Sequence, residues 1–292
     1  MIRVGIAGWS YDDWDGIVYP ARKPAPFDRL AYLAGFFDTI EINSTFYRIP
    51  EPKAVESWAR RVKGRSDFRF TAKLYQGFTH KRSELRREDE ETFKRAMEPL
   101  TDRGLLSALL AQFPYSFRPG RGSQETLQAI FEAFRGYPLV VEIRHADWQS
   151  QEFFAFLREQ NVGFCNLDQP RLAHCIGHTQ IATSGVGYVR LHGRNAANWF
   201  QKSSKPWERY NYLYAEEELS EWVGRIRSVA EQTADVFVIA NNHYRGKGPL
   251  AALMLLALLR GEKVATPPDL MAAYPQIAPL AIVQGPDQGR LF

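Results

Sequence analysis

Short apolar runs alternate along the chain with longer segments whose apolar residues recur at helical spacing. The runs predict buried strands at 3–7, 39–43, 68–74, 105–113, 139–144, 162–167, 188–192 and from 236 onward. The longer segments predict helices at 27–36, 52–61, 88–102, 123–134, 151–160, 216–231 and 250–259. Eight strands, each followed by a helix or a long crossover, are typical of a closed (β/α)8 barrel.

We therefore predict an α/β fold, a TIM-type (β/α)8 barrel that forms a single domain over residues 1–265. A doubly wound open sheet is the alternative, but it usually has fewer units and a glycine-rich first turn, which this sequence lacks. Residues 266–292 are predicted to form an irregular tail because prolines interrupt them. These are Pro267, Pro268, Pro275, Pro279 and Pro286.

Composition and net charge limit which ligands and which cellular compartment are expected for the protein. The 292 residues carry a net charge of +4 and an isoelectric point near 9.0, which indicates mild attraction to polyanions. Cys165 and Cys175 are too few for a disulfide framework, so a reducing compartment and a cytoplasmic location are expected. The longest apolar run, 250–259, is too short to cross a bilayer, so no membrane partner is predicted.

Polar side chains occur where the predicted strands end, and in a TIM barrel the loops there surround a single mouth. Buried charges need partners, so such a set is either a salt-bridge network or a functional site. The candidates for acid and base catalysis are Glu41, Glu142 and Asp168, with His192 as a proton relay. The candidates for holding a substrate are Lys73, Arg144, Arg190, Arg194, Asn241, Asn242, His243, Lys247 and Trp9.

Cations outnumber acids in this set, which favours an anionic ligand over a cluster of divalent cations. The turn at Gly246–Gly248 adds a predicted anion seat, because it opens a helix and lies beside Arg245. The seventh loop interleaves cations with aromatic residues, and it is predicted either to stack bases or sugars or to form a self-packed lid. It includes Trp199, Phe200, Lys202, Lys205, Trp207, Arg209 and Tyr210.

Metal-ligand spacing is sparse in this sequence. His174 and His178 are four residues apart, but Gly177 argues against the helix that such a pair needs. No metal site is therefore predicted, and the cofactor stays unknown. One alternative stays open, a single divalent metal bound by the residues Glu142, Asp168 and His192.

Six segments together resemble the YecE-like family, also known as domain of unknown function 72. They are Gly8–Tyr11, Glu41–Tyr47, Phe68–Phe70 with Lys73, Glu142–His145, Leu191–Arg194 and Asn241–Tyr244. The resemblance spans residues 1 to about 260 in order, and it implies a TIM-type barrel without implying an activity. The family barrel is similar in fold to apurinic-site endonucleases with zinc clusters, but this chain lacks the histidines for such a cluster.

The last five residues resemble the short peptide with which bacterial replication and repair proteins dock onto the sliding clamp. Leu291 and Phe292 would fill an apolar pocket while Gln288 makes hydrogen bonds at its edge. The bacterial sliding clamp is therefore a predicted partner. The alternative is a tail folded back with Phe292 buried on the barrel.

Three function hypotheses follow from these patterns. The first is an enzyme that acts on an anionic, phosphate-containing substrate, such as a nucleotide or nucleic acid, through phosphodiester or nucleotide chemistry. The second is a hydrolase or isomerase of a sugar or sugar phosphate that uses Glu41 and Glu142 as paired carboxylates. The third is a module that binds a small molecule or nucleic acid without catalysis.

Overall fold

Eight parallel strands close into a barrel in the computed structural model, which describes residues 1–81, 86–201, 205 and 207–284. The barrel strands are β1 (Ile2–Ala7), β2 (Thr39–Ile42), β3 (Arg69–Lys73), β4 (Leu106–Gln112), β5 (Leu139–Glu142), β6 (Gly163–Asp168), β7 (Val186–Leu191) and β8 (Asp235–Ala240). Strand β1 pairs with both β2 and β8, which closes the ring. The predicted TIM-type barrel is confirmed.

Helices follow the strands on the outside of the barrel. They are α1 (Arg29–Leu33), α2 (Ser44–Tyr47), α3 (Pro52–Arg61), α4 (Gln76–Thr79), α5 (Arg87–Thr101), α6 (Arg121–Ala133), α7 (Gln151–Glu159), α8 (Glu216–Ala230), α9 (Lys247–Arg260) and α10 (Pro268–Ala273). Short 3-10 turns lie at Asp12–Trp14, Ala146–Trp148, Ala196–Asn198, Glu208–Tyr210, Tyr244–Gly246 and Pro275–Leu280. Helix α6 starts at Arg121, two residues before the predicted start at residue 123, and Gly120 occupies the cap position.

The barrel has an apolar core on each side of its strands. The larger core fills the space between strands and helices, and the smaller one fills the barrel interior around Leu110, Tyr188 and Phe237. Alternate residues of a strand face opposite sides, so the next inward positions on the same strands carry polar groups. Gln112 follows Leu110, and Arg190 follows Tyr188. The interior is therefore apolar below and polar towards the carboxyl ends of the strands.

The segment after the barrel is more regular than its prolines indicate. Strand β9 (Val264–Thr266) pairs in parallel with β10 (Ala281–Val283), and α10 lies between them. The predicted irregular tail is therefore corrected for residues 266–283. Proline is tolerated in the first turn of a helix, and Pro268 begins α10. Gln288, Leu291 and Phe292 lie outside the described residues, so clamp docking stays a prediction.

Within the described part of the chain, no helix has both the length and the apolar composition needed to cross a membrane.

Candidate functional site

A cavity of about 1010 Å³ opens at the carboxyl ends of the barrel strands. Residues at or just beyond the strand ends form its floor, and they are Asn43, Lys73, Gln112, Arg144, Arg190 and Asn241. Loop residues form its walls, and they are Tyr11, Phe46, Tyr47, Gln76, His80, Pro114, Tyr115, Ser116, Trp199, Phe200, Trp207, Arg209, Tyr210 and His243. The volume is at the upper end of the range for small-molecule sites.

The described charged side chains that line the cavity are all positive. Lys73, Arg144, Arg190 and Arg209 contribute four cationic side chains, and no described lining residue is an aspartate or glutamate. The acids that balance part of this charge lie behind the lining. A ligand in the cavity therefore meets donors and positive charge first.

Arg190, on β7, is held from two sides by carboxylates on β2 and β5. Its Nη2 donates to Glu41 Oε1 at 2.7 Å and its Nη1 donates to Glu142 Oε2 at 2.5 Å. The Nη1 atom also lies 3.3 Å from Gln112 Oε1. Tyr188 donates to the remaining Glu41 oxygen at 2.9 Å. This network fixes the Arg190 guanidinium at the cavity floor.

Arg144 shares Glu142 with Arg190. Its Nε donates to Glu142 Oε1 at 2.9 Å. Burial alone would raise the pKa of Glu142, but Arg190 and Arg144 lower it well below its ordinary value. Glu142 is fully buried and permanently charged at neutral pH, which suits a counter-ion rather than a proton-transfer group.

The predicted acid and base role of Glu41 and Glu142 stays a prediction, and the placement of both side chains weighs against it. Both side chains are fully buried, neither lines the cavity, and both are ion-paired with Arg190. Their carboxylates lie behind the cations that a ligand would contact.

Lys73 differs from these arginines because it has no carboxylate partner. Its Nζ lies 4.0 Å from the centroid of the Phe46 ring, and no described carboxylate lies within 4.0 Å of it. Burial, reinforced by the positive charge of Arg190, lowers the pKa of Lys73 to about 7. The cavity thus contains an amine that gains or loses its proton near neutral pH.

Arg209 is the second lining cation without a described carboxylate within 4.0 Å, and it belongs to the long seventh loop. Its guanidinium carbon lies 6.0 Å from the Trp199 ring centroid, and Arg144 approaches the same ring at 5.9 Å. Trp199 is therefore a shared neighbour of two of the cations. The Arg209 Nε is buried without a hydrogen-bond partner, so a donor there is unused.

Asp168 and Arg194 lie outside the barrel interior, contrary to prediction. Strand β6 turns Cys165 and Leu167 inward, so the alternation turns Asp168 towards α8. Arg194 Nη2 donates to Asp168 at 2.7 Å, Tyr214 donates at 2.9 Å and Trp222 Nε1 donates at 2.5 Å. This saturated carboxylate anchors the seventh loop to α8 and is not a cavity residue.

His192 is also placed behind the lining. It is fully buried, its Nδ1 accepts a hydrogen bond from Asn241 Nδ2 at 3.0 Å, and its Nε2 lies 3.3 Å from Glu142 Oε1. Burial lowers the pKa of His192 to about 4, so the ring is neutral at pH 7. His192 positions Asn241, which does line the cavity, while Asn242 instead donates to the Tyr212 carbonyl at 2.9 Å.

The predicted anion seat at the start of α9 is occupied by the chain itself. The backbone N–H of Arg245 donates to Asp13 Oδ2 at 2.6 Å, and Lys247 Nζ donates to Asn211 Oδ1. Lys247 does not line the main cavity. The prediction failed because the turn is closed by a carboxylate from the first loop, more than two hundred residues away in sequence.

Of the remaining predicted ligand residues, His243 lines the cavity and stacks on Tyr11 with ring centroids 4.6 Å apart. Burial lowers the pKa of His243 to about 4. Trp9 is outside the main cavity, in a neighbouring depression next to Tyr47, with its ring edge-on to Trp58 at 5.6 Å.

The three residues considered for a single metal do not assemble, because Asp168 is on the opposite face of its strand from the barrel interior. Among the described residues, one other group has ligand atoms close enough for a cation: His145, Asp147 and His174. His145 Nδ1 already accepts from the Asp147 backbone N–H at 3.2 Å, and the group lies outside the main cavity.

Several lining residues carried no recognisable signal in the sequence. Gln76, His80, Tyr115 and Ser116 belong to loops three and four, where isolated polar and aromatic residues are ordinary. Their position directly after β3 and β4 is the one available indication, because residues after barrel strands surround the mouth.

Comparison with known families places the chain among uncharacterised proteins. Residues 3–274 match the family described as "Protein of unknown function DUF72". The UPF0759 protein YunF of Bacillus subtilis is 28% identical over 273 residues, covering 89% of this chain and 95% of the relative. The UPF0759 protein YecE of Escherichia coli is 28% identical over 167 residues, covering 56% of this chain and 53% of the relative.

Solved structures agree with these matches. A DUF72 family protein from Thermotoga maritima superimposes with a TM-score of 0.80 and 35% identity, over 89% of this chain and 99% of the other. A DUF72 family protein from Enterococcus faecalis gives a TM-score of 0.78 and 25% identity, over 89% and 96% of the two chains. The superpositions cover nearly all of both relatives.

Proposed function

This chain belongs to the DUF72 family, and we propose that its barrel is an enzyme acting on a phosphate-containing substrate, namely a nucleotide or the end of a nucleic-acid strand. The family description names no activity, so support for the proposal comes from the cavity. Two features of the cavity support the proposal, its cationic floor and its aromatic walls.

The observation that carries the proposal is the pair of unpartnered cations, Lys73 and Arg209, in a cavity whose described lining has no acid. Lys73 is buried and Arg209 is half-buried, and an anionic ligand that supplies the counter-charge lowers the cost of holding such cations out of water. Arginine also matches phosphate geometry through paired N–H donors. Phosphate is therefore the anion that this lining fits best.

Exposed aromatic rings at the mouth favour a ligand with a flat group. Tyr47 is 70% exposed, Phe200 is 51% exposed and Trp207 is 38% exposed, although all three are large and partly apolar. Each lines the same cavity as the cations. Rings combined with cations suit bases joined to phosphates, because each base can stack while its phosphate is held.

The sugar-hydrolase alternative has less support. Glycoside hydrolysis needs two carboxyl groups that flank the scissile bond. Glu41 and Glu142 instead flank the guanidinium of Arg190 and lie behind the lining. A binding module without catalysis would use the same cavity, and it differs from an enzyme by the absence of product.

The test compares ligands that differ in a single group. Isothermal titration calorimetry with a nucleoside 5′-monophosphate, the matching nucleoside and ribose 5-phosphate separates the contributions of phosphate and base. Arg209→Met and Lys73→Met are the test variants. Arg121→Met is the control, because its side chain is 93% exposed and outside the cavity.

We expect the monophosphate to bind, the nucleoside to bind at least about 10-fold more weakly, and Arg209→Met to lose about 10-fold in affinity, the equivalent of one charge-assisted contact. Lys73→Met should lose less, because it removes a positive charge near the phosphate and not a direct contact. Chromatography of the incubated monophosphate and of a 5′-phosphorylated oligonucleotide reports product. Equal binding of nucleoside and monophosphate, or unchanged affinity in Arg209→Met, would overturn phosphate recognition. Binding without product for either probe would support the module.

A further inference from the structure

We propose that Lys73 is a nucleophile that forms an imine with an aldehyde or ketone group of the phosphate-bearing substrate. This proposal rests on the proposed function, since the phosphate brings the carbonyl into the cavity. It narrows the phosphate-containing substrate to one that also carries an aldehyde or ketone, such as a base-free deoxyribose at the end of a nucleic-acid strand, whose ring opens to an aldehyde.

The position of Lys73 suits covalent chemistry. It is the last residue of β3, and its side chain points inward to line the cavity. The Phe46 ring lies beneath Nζ at 4.0 Å and limits the directions that the chain can take. Reacting groups in TIM-barrel enzymes come from such strand ends. The amine is thus held at the floor of the cavity.

Other lysines show what is unusual about this one. Lys94 Nζ lies 5.6 Å from the Phe134 ring, but it also pairs with Glu90 at 2.5 Å. Lys23 approaches two aromatic rings and pairs with Asp15 at 2.5 Å. A carboxylate neighbour keeps an amine protonated. Lys73 has the ring without the carboxylate.

Protonation decides whether an amine can attack a carbonyl, because the ammonium form has no lone pair. Burial and the nearby Arg190 lower the pKa of Lys73 to about 7. A substantial fraction of the Lys73 side chains is therefore unprotonated near pH 7. For an ordinary lysine with a pKa near 10.4 the fraction is on the order of one in two thousand. This is a recognised way to activate a lysine.

The reaction balances without an oxidant or a reductant. The Nζ lone pair adds to the carbonyl carbon, a proton moves from nitrogen to the former carbonyl oxygen, and a carbinolamine forms. Loss of that oxygen as water gives the carbon–nitrogen double bond. Addition of water reverses both steps and frees the amine. Tyr210 and His80 lie in the same lining and carry exchangeable protons for the departing water.

Two of the other three described lining cations, Arg144 and Arg209, are placed to bind the phosphate. Arg209 and Arg144 both approach the Trp199 ring, and both line the cavity with Lys73. Arg209 retains a buried Nε without a hydrogen-bond partner, whereas Arg144 Nη2 lies 2.9 Å from Glu142 Oε1. The unused donor of Arg209 and the positive charge of Arg144 assign phosphate binding to the arginines and leave the amine for the carbonyl.

The probe for the experiment is pyridoxal 5′-phosphate, which combines an aldehyde, a flat ring and a phosphate. The protein is mixed with the probe at pH 7, and sodium borohydride then reduces any imine to a stable secondary amine. Peptide mass spectrometry locates the label. Lys73→Met and Lys73→Arg are the test variants, and Lys94→Met is the matched control. Pyridoxal without phosphate is the second probe.

We expect the wild type and Lys94→Met to be labelled at Lys73 about 100-fold faster than at other lysines, and both Lys73 variants to lose that label. Inorganic phosphate should compete, and pyridoxal should label Lys73 at least about 10-fold more slowly. A label spread evenly over surface lysines would overturn the proposal. Failure of imine formation alone leaves the monophosphate titration intact, whereas failure of the proposed function removes both.

Discussion

The Nζ of Lys73 lies 4.0 Å from the centroid of the Phe46 ring. A ring face attracts a cation, but by much less than a buried carboxylate does. The pair therefore keeps the lysine in place without keeping it charged. Lys73 differs in this respect from Arg190, whose positive charge is fixed by two carboxylates. Lys73 is thus a titrating group among lining arginines whose charge does not change near neutral pH.

Lys73 makes the pH dependence of stability predictable. Its pKa is about 7 in the folded chain, against about 10.4 when unfolded, so the unfolded state binds more protons between these values. Stability of the wild type relative to Lys73→Met should rise from pH 7 to pH 10, by at most about 1.4 kcal/mol per pH unit. Urea unfolding of both proteins at pH 7, 8 and 9 measures this difference in the free energy of unfolding. A constant difference would contradict the predicted shift.

Arg190→Met should be strongly destabilising. The substitution leaves Glu41 and Glu142 buried without the guanidinium that pairs with them. Removing one partner of a buried ion pair typically costs about 3–5 kcal/mol. The free energy of unfolding from urea titration measures the loss, with Arg121→Met as the exposed control at about 0.5 kcal/mol or less. A loss below about 1 kcal/mol in Arg190→Met would contradict the network.

His243 should make the fold sensitive to acid. Its folded pKa of about 4 lies below the unfolded value near 6.5, so its contribution is complete above pH 6.5 and is lost as the pH falls towards 4. His243→Phe keeps a ring against Tyr11 and removes the titration. Stability of the wild type relative to this variant should fall between pH 6.5 and 4.5.

Gly193 should not tolerate a side chain. Its φ is +85°, and an added Cβ would lie 2.5 Å from the Tyr212 Cβ. Gly193→Ala is therefore expected to lower stability by about 2 kcal/mol or more through backbone strain and crowding. Gly224, in the middle of α8, has open space around it, and Gly224→Ala should stabilise by about 0.5–1 kcal/mol. Thermal unfolding of both variants checks the opposite signs.

Much of the fold was accessible from the sequence because barrel strands are short apolar runs with abrupt polar ends. The run from Val236 and the residues after it, for example, contain both a core strand and two side chains at the mouth. Lys73, Arg144 and Arg190 were found by the same rule, since inward positions at strand ends must face the cavity. Asp168 broke the rule because its neighbours Cys165 and Leu167 took the inward positions.

The roles of the site residues were less accessible than their positions. Sequence cannot show that Glu41 and Glu142 meet the same arginine, because those contacts join strands separated by up to about 150 residues. It also cannot show that Asp13 reaches the turn before α9. Such long-range pairing decides which charges stay available, and in this barrel it left the lysine and Arg209 rather than the acids.

The two ion pairs of Arg190 affect the entropy cost of binding a ligand. Long cationic side chains ordinarily lose rotational freedom when they engage a partner, and that entropy loss weakens association. In this barrel the guanidinium of Arg190 became immobile when the chain folded. A ligand therefore meets a preorganised guanidinium at the cavity floor. Any conformational change on binding is then expected in the seventh loop, which carries Arg209.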